Sequence, residues 1–116
     1  MHKLVILVEL PSNDTSFDET WPQFLSLSER MPGLIREATS RVEYILYGGF
    51  EPALLHELYF ESVEAIRRAM SSPEGQAAGE VLQRMSGGRL TLLIAEHQED
   101  ELENIRKYRE QTDESA

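Results

Sequence analysis

The strongest constraint on the fold is the order in which strand-like and helix-like segments alternate along the chain. The segment HKLVILVEL (2–10) is a short aliphatic run of strand length, halted by Pro11. The segment 17–30 has helical spacing, whereas EATSRVEYILY (37–47) alternates with a period near two. Between them stands MPG (31–33), where the residue before proline leaves the α region and glycine permits a reversal. The chain therefore leaves a helix and enters a strand at this tripeptide.

The first helix has two candidate starts, and Pro22 decides between them. Ser16 and Thr20 each have an acid or amide three residues later, as a capping box requires. Proline is tolerated in a first helical turn but costs roughly 3 kcal/mol inside a helix. We therefore predict a regular helix over 21–30.

The rest of the chain completes a six-element order. A turn, a third strand, a helical region and a fourth strand are predicted in the segments 48–52, 53–60, 62–85 and 89–97. The helical region is either one bent helix or two. If two, Ser72 is the N-cap of the second and Pro73 its first residue.

The order β-α-β-β-α-β predicts an α+β, ferredoxin-like fold, in which right-handed connections give a four-stranded antiparallel sheet of order 4-1-3-2 with both helices on one face. Val5, Leu7 and Leu93 make the other face partly apolar, so we expect a second sheet to cover it in a homodimer. The domain is expected to span 1–98. Residues 99–116, with more acids than bases, are expected to form an acidic helical or partly disordered tail.

Composition limits the partners. The net charge of -10 and pI near 4.7 argue against nucleic acid or an anionic membrane surface, because both attract basic patches. The chain has no cysteine, which excludes disulfides and thiolate chemistry. The first apolar run is too short and too interrupted for a signal peptide, so we expect a cytoplasmic protein.

Three stretches, FDETWPQF, MPGLIRE and SSPEGQAA, occur in an order that resembles the EthD-like branch of the dimeric α/β-barrel superfamily, over about residues 3–98. The resemblance implies a ferredoxin-like subunit that pairs into a dimeric α/β barrel, with a pocket between sheet and helices. Members of the superfamily include cofactor-free monooxygenases, lactone isomerases and polyketide cyclases. Relatives often carry histidine on the first helix, where this chain has Gln23, Phe24 and Leu25.

The hairpin register predicts candidate catalytic residues. If Tyr47 pairs with Ala53, even-numbered residues face each other and Tyr44 lies opposite His56 on an apolar face. Imidazole can move a proton, and a phenol can stabilise an oxyanion, so His56 and Tyr44 are predicted to be catalytic. Alternatively, the two side chains satisfy each other as structural groups of the core.

Further site residues follow from the same arrangement. Trp21, Gln23 and Phe24 are predicted to line the pocket. The opposite face of the hairpin is predicted to be a charged dimer or solvent surface formed by Arg41, Glu43, Glu57 and Tyr59. His2 and His97 are expected at the other end of the sheet from His56, so no metal site and no cofactor are predicted.

Two functions remain open at this point. The chain is a small cofactor-independent isomerase, cyclase or monooxygenase acting on a hydrophobic or aromatic carbonyl-type metabolite, or a non-catalytic dimeric ligand-binding or accessory protein. The fold alone cannot choose between them.

Overall fold

The protein is described by a computed structural model that covers residues 1–9 and 17–103. These residues form four strands and three helices. The elements are β1 (His2–Val8), α1 (Phe17–Ser28), β2 (Arg36–Arg41), β3 (Leu54–Phe60), α2 (Val63–Ser71), α3 (Pro73–Ser86) and β4 (Leu90–Glu96).

The four strands form one antiparallel sheet of order β2-β3-β1-β4. This is the predicted order 4-1-3-2 seen from the other edge, so the α+β, ferredoxin-like prediction is confirmed. β1 is central and pairs with β3 on one side and with β4 on the other. The two edges of the sheet are β2, which is polar, and β4, which is mostly apolar.

The core lies between the helices and one face of the sheet. β1 contributes Leu4, Ile6 and Val8 to it, as the alternation of β1 predicts. The other members of this core are Phe17, Trp21, Phe24, Met31, Leu54, Leu58, Phe60, Ile66, Ala69, Ala78, Val81, Leu82 and Met85. The opposite face of the sheet carries no helix in the described part of the chain.

The first helix begins four residues earlier than predicted. Pro22 lies inside α1, not in its first turn. The physical reason is an aromatic stripe at helical spacing: Trp21 stacks between Phe17 and Phe24, with ring centroids 5.5 and 5.0 Å away. Burial of these three rings favours the longer helix despite the cost of the proline. The other predicted cap, Ser16, lies outside the described residues.

The second helical region is two helices that meet at Ser72. The Ser72 hydroxyl accepts a hydrogen bond from the Gly75 amide at 3.0 Å, which caps α3, and Pro73 follows at the first helical position. Position 75 requires glycine, because a Cβ atom there would lie 2.1 Å from the Ala69 carbonyl oxygen. The two helices can therefore pack tightly at their junction.

The predicted register of the central hairpin is wrong. Arg36 pairs with Tyr59 and Arg41 with Leu54, so odd residues of one strand face even residues of the other. β2 ends at Arg41, and residues 42–53 form a long connection, closed at its base by a hydrogen bond from the Val42 amide to the Ala53 carbonyl. The alternation of 37–47 predicted one long strand, but only its polar first half, in β2 (Arg36–Arg41), pairs with β3.

No helix in the described ranges is both long and apolar enough to span a lipid bilayer. Most of the predicted tail, from residue 104 to the end, lies outside the described residues.

Candidate functional site

The centre of the candidate site is His56, a histidine of β3 with no exposed surface. Its Nε2 atom lies 2.6 Å from Oε2 of Glu37, and its Nδ1 atom lies 2.8 Å from Oγ1 of Thr39. Both partners come from β2, where residues two apart share a face. The Ser28 hydroxyl at the end of α1 donates to the same Glu37 oxygen at 2.9 Å. A four-residue polar network thus runs from α1 through β2 to β3.

The carboxylate decides how this network is protonated. An ionised Glu37 only accepts hydrogen bonds, so Nε2 of His56 carries a proton and donates it. In the neutral imidazole, Nδ1 then accepts from the Thr39 hydroxyl. Glu37 therefore orients His56, while His56 holds the hydroxyl of Thr39, an exposed residue at the sheet edge. A carboxylate, an imidazole and a hydroxyl in series are able to transfer a proton.

Two aromatic side chains of α1 enclose the imidazole. Trp21 and Phe24 approach His56 edge-on, with ring centroids 5.1 and 5.5 Å away and interplanar angles of 89° and 80°. The structure thus brings these two predicted pocket residues to the predicted histidine. Gln23, the third predicted pocket residue, is exposed, because the turn of α1 that points Phe24 into the core points Gln23 outward. Its prediction as a pocket residue is wrong.

Tyr44 does not meet His56. Its side chain is 82 % exposed and belongs to the connection between β2 and β3, and Thr39 occupies the position opposite His56. The prediction of a Tyr44–His56 pair is wrong because it depended on the five-residue turn, which does not exist. The catalytic role of His56 remains a prediction.

The predicted charged face is only partly assembled. Glu57 and Tyr59 lie together on the helix-free face, with the tyrosine hydroxyl donating to Glu57 Oε2 at 3.3 Å. Arg41 instead lies toward the helices, with its guanidinium 5.6 Å from the ring centroid of Phe17. Glu43 is exposed beyond the end of β2. Both errors follow from the wrong register.

Two other basic residues, Lys3 and Arg36, contact the helix-free face at Glu57 and Tyr59, where Arg41 was expected. Lys3 forms an ion pair with Glu57, and the Arg36 guanidinium lies 4.1 Å from the ring centroid of Tyr59. The hydrogen bond from Lys3 lowers the pKa of the Glu57 carboxyl, and the same bond raises the pKa of the Lys3 ammonium. Both shifts favour the charged pair on this face.

An apolar cavity of about 210 Å³ lies beside the histidine network, between the sheet and the helices. Phe24 and Ile6 line it and also neighbour His56, so they separate the imidazole from the cavity. Its lining consists of Leu4, Ile6, Phe24, Met31, Leu58, Met70, Gly75, Gln76, Ala78, Gly79, Leu82 and Leu92. Within the described residues, no side chain of this lining is titratable.

The cavity exists because the helices leave β4 uncovered. Leu92 of β4 faces the helix side and is still 43 % exposed. Gly79 of α3 adds room, since a Cβ atom there would have no neighbour within 4 Å. Adjoining cavities of about 350 and 190 Å³ share Leu92 with the first, so a groove follows β4. The groove is apolar toward Ile94 and partly polar toward Leu90, where Glu80 and Gln83 line it.

Sequence reasoning missed Glu37, Thr39 and Ser28. A buried histidine needs hydrogen-bond partners on both ring nitrogens, and Glu37 and Thr39 stand two apart on the preceding strand. That spacing was the available signal. Across residues 1–9 and 17–103, no group of three histidine or acidic side chains is arranged to hold a metal ion.

Comparison with known proteins places the chain in a family. A solved structure of an ethyl tert-butyl ether D (EthD) family protein from Bacillus halodurans is 31% identical, with a TM-score of 0.76 over 84% of this chain and 99% of that one. The chain belongs to the EthD family. No family model matches this EthD-family sequence, and the search of curated proteins finds no relative.

More distant structures share the fold of this EthD-family chain. SnoaB, a cofactor-independent oxygenase from Streptomyces nogalater, is 14% identical, with a TM-score of 0.65 over 85% of this chain and 94% of that one. A dimeric ferredoxin-like protein of unknown function from Jannaschia is 16% identical, with a TM-score of 0.65 over 83% and 98% of the two chains. At these identities the similarity establishes the fold and no activity.

Proposed function

We propose that this EthD-family chain is a homodimeric protein that binds a small, mainly apolar ligand between its sheet and its helices. The observation that carries the proposal is the cavity, whose described lining is apolar apart from Gln76. Ligand sites are concave and mostly apolar, with few polar groups. The adjoining groove along β4 extends the space enough for a flat or elongated molecule.

The histidine network supports binding over catalysis. His56 is fully buried, and both ring nitrogens already have partners. A ligand in the cavity would meet Phe24 and Ile6 before it met the imidazole. The Jannaschia protein, which has the same fold, is dimeric, and this supports the homodimer in the proposal.

Filling the cavity tests this function. A neutral fluorescent probe, N-phenyl-1-naphthylamine, reports binding to apolar sites by its emission. Gly79→Leu places a side chain in the cavity, and its matched control Gly79→Ala adds only a methyl group to the same helix position. We expect the probe to bind the wild type and the alanine variant and to lose affinity in the leucine variant. Equal binding by all three, or binding by none, would refute the proposal.

A second candidate is proton-transfer catalysis on a hydrophobic or aromatic carbonyl compound. The observation that favours it is the Glu37–His56–Thr39 series, because its Thr39 end lies at an exposed edge. There, a substrate displacing the threonine hydroxyl would reach Nδ1 of the imidazole, which Glu37 keeps unprotonated in the neutral ring.

Hydrogen–deuterium exchange next to the carbonyl of 1-tetralone, followed by NMR in deuterated buffer, tests this candidate. We expect exchange above the buffer rate that falls in His56→Gln. Thr39→Val removes the hydroxyl of an exposed residue and keeps its shape. It therefore tests, without disturbing the core, whether the substrate reaches His56 at the position of the Thr39 hydroxyl. No exchange above buffer with the wild type would eliminate the second candidate.

A further inference from the structure

The outer end of the His56 network is a hydroxyl group at the protein surface. Thr39 is exposed, and its Oγ1 atom lies 2.8 Å from Nδ1 of the fully buried His56. Because Glu37 holds the proton of the neutral ring on Nε2, Nδ1 is able to accept the proton of the hydroxyl. A hydroxyl that donates to an imidazole, with the imidazole oriented by a carboxylate, is the arrangement of an activated nucleophile.

The register of the sheet holds the hydroxyl against the imidazole. Thr39 lies directly opposite His56 in the pairing of β2 with β3. The Val42 amide bonds to the Ala53 carbonyl, so the alternation of an antiparallel ladder makes Thr39 and His56 a non-hydrogen-bonded pair. Side chains approach most closely at such pairs. The backbone of two paired strands therefore positions both groups.

The same register supplies a donor for a developing oxyanion. β2 is an edge strand, and a residue of a non-hydrogen-bonded pair turns its amide away from the neighbouring strand. The N–H of Thr39 therefore points to the open edge of the sheet, on the residue that carries the hydroxyl. Backbone amides beside a nucleophile stabilise the oxyanion of a tetrahedral intermediate.

The other sides of the imidazole are closed by apolar side chains. Trp21 and Phe24 pack edge-on against the ring of His56. Phe24 and Ile6 separate the ring from the apolar cavity. The approach to Nδ1 at the sheet edge, through Thr39, is therefore distinct from the ligand cavity.

A positive charge lies beside Thr39 on the same face of β2. Arg41 stands two residues further along the strand, and its guanidinium lies 5.6 Å from the ring centroid of Phe17. Within the described ranges, Arg41 has no ion-pair partner. In a chain with a net charge of -10, an exposed guanidinium at this position favours a substrate that carries a carboxylate.

We propose that the chain hydrolyses small carboxylate-bearing esters, with Thr39 as the nucleophile and His56 as the base. Oγ1 of Thr39 attacks the ester carbonyl carbon while the hydroxyl proton passes to Nδ1 of His56. The imidazolium gives this proton to the alcohol oxygen as the bond between that oxygen and the carbonyl carbon breaks. An acyl group is then left on Thr39.

Water completes the reaction. It attacks the acyl carbon and gives one proton to Nδ1, and the imidazolium returns a proton to Oγ1 as the acyl–oxygen bond breaks. The products are a carboxylic acid and an alcohol, and the reaction consumes only the ester and water. This activity goes beyond the proposed ligand binding and does not depend on the cavity.

Hydrolysis of 4-acetoxy-3-nitrobenzoate tests the proposal, because the released nitrophenolate is coloured. We expect hydrolysis above the buffer rate, a fall of about 100-fold or more in Thr39→Val, and retained activity in Thr39→Ser, which keeps a hydroxyl. Ser40→Ala is the matched control, since Ser40 is exposed on the opposite face of the same strand. A wild-type rate no higher than that of Thr39→Val would overturn the proposal.

The acylated residue can be identified directly. A nitrophenolate leaves readily, so acylation by this ester outpaces hydrolysis of the acyl group, and acetyl-threonine accumulates during turnover. After an acid quench, trypsin cuts after Arg36 and Arg41 and releases the peptide 37–41. We expect tandem mass spectrometry to place the acetyl group on Thr39. Acetyl on Ser40, or on neither residue, would contradict the proposal.

A second ester tests the substrate class. p-Nitrophenyl acetate transfers the same acetyl group but carries no carboxylate. We expect Arg41→Met to raise the KM for 4-acetoxy-3-nitrobenzoate about 10-fold and to leave the KM for p-nitrophenyl acetate unchanged. An equal change with both esters would overturn the assignment of carboxylate-bearing esters.

The proposals can fail separately. Ester hydrolysis without binding of N-phenyl-1-naphthylamine would keep the Thr39 site and remove the ligand cavity. Probe binding without hydrolysis would do the reverse. Ester hydrolysis also needs the Thr39 hydroxyl, whereas exchange on 1-tetralone needs His56 alone, so Thr39→Val separates acyl transfer from simple proton transfer.

Discussion

Removing the buried imidazole, in His56→Ala, should strongly destabilise the fold. The side chain has no exposed surface, contacts the rings of Trp21 and Phe24, and bonds to Glu37 and Thr39. Truncating a large buried side chain costs about 2–5 kcal/mol, and a hydrogen bond to a charged group contributes about 1.5–3 kcal/mol. Partial rehydration of Glu37, which is 17 % exposed, offsets some of this. We therefore expect a loss of about 3–5 kcal/mol in the free energy of unfolding.

Urea denaturation measures this loss. The chain has one tryptophan, and Trp21 contacts the histidine, so its fluorescence follows unfolding at the site, while far-UV circular dichroism follows the whole fold. His97→Ala is the matched control, because His97 lies near the opposite end of the sheet and is partly exposed. It should cost about 1 kcal/mol or less. A His56→Ala loss no larger than that of the control would refute the reasoning.

A double-mutant cycle isolates the contribution of the hydrogen bond between His56 and Glu37. Glu37→Ala removes the carboxylate oxygen that lies 2.6 Å from Nε2 of His56. It is combined with His56→Ala, and the two substitutions remove the same contact. Their effects should therefore not add, with a coupling energy of about 1–3 kcal/mol. Additive losses would mean that the histidine and the carboxylate do not interact in solution.

Further substitutions test other parts of the structure. Lys3→Met should lower stability most near pH 7. The hydrogen bond from Lys3 lowers the pKa of Glu57, so the Lys3–Glu57 pair stabilises the fold above pH 4.5 and loses its effect as pH falls through the lowered pKa. In urea titrations, the difference in stability between Lys3→Met and the wild type should therefore shrink in acid. Gly75→Ala should cost about 1–3 kcal/mol or more in thermal unfolding, because its Cβ would overlap the carbonyl at the end of α2, whereas Gly79→Ala should stabilise α3 by up to about 1 kcal/mol. Ser72→Ala should cost about 1 kcal/mol by removing the α3 cap, and Ser71→Ala, one residue earlier, should have a smaller effect in the same assay.

The order of the elements could be predicted from local patterns, because each pattern reflects a neighbour only a few residues away. The switch from helical to alternating spacing at MPG (31–33), and the Ser72-Pro73 start of α3, depend on backbone geometry and capping within one turn. Once six elements were ordered, chirality left one sheet order, which the structure confirms. The start of α1 was missed because ring stacking outweighed the cost of Pro22.

The candidate site could be predicted only in part. His56, Trp21 and Phe24 were found because an imidazole among apolar neighbours is conspicuous, whereas the partners of His56 depend on register. Two registers of a hairpin differ by a shift of one strand along the other. Local alternation does not show which register is correct when the residues on both sides of the turn are apolar.

The sequence by itself therefore determined the class of fold, the strand order and the presence of one buried histidine, since these follow from periodicity, capping and chirality. Only the tertiary structure decided that Glu37 and Thr39 bind this histidine, that Tyr44 lies in the exposed connection between β2 and β3, and that an apolar cavity remains beside β4. The reason is physical: pairing and cavities depend on how distant segments compete for the same hydrogen bonds and the same volume, and this competition is settled only when the whole chain is packed.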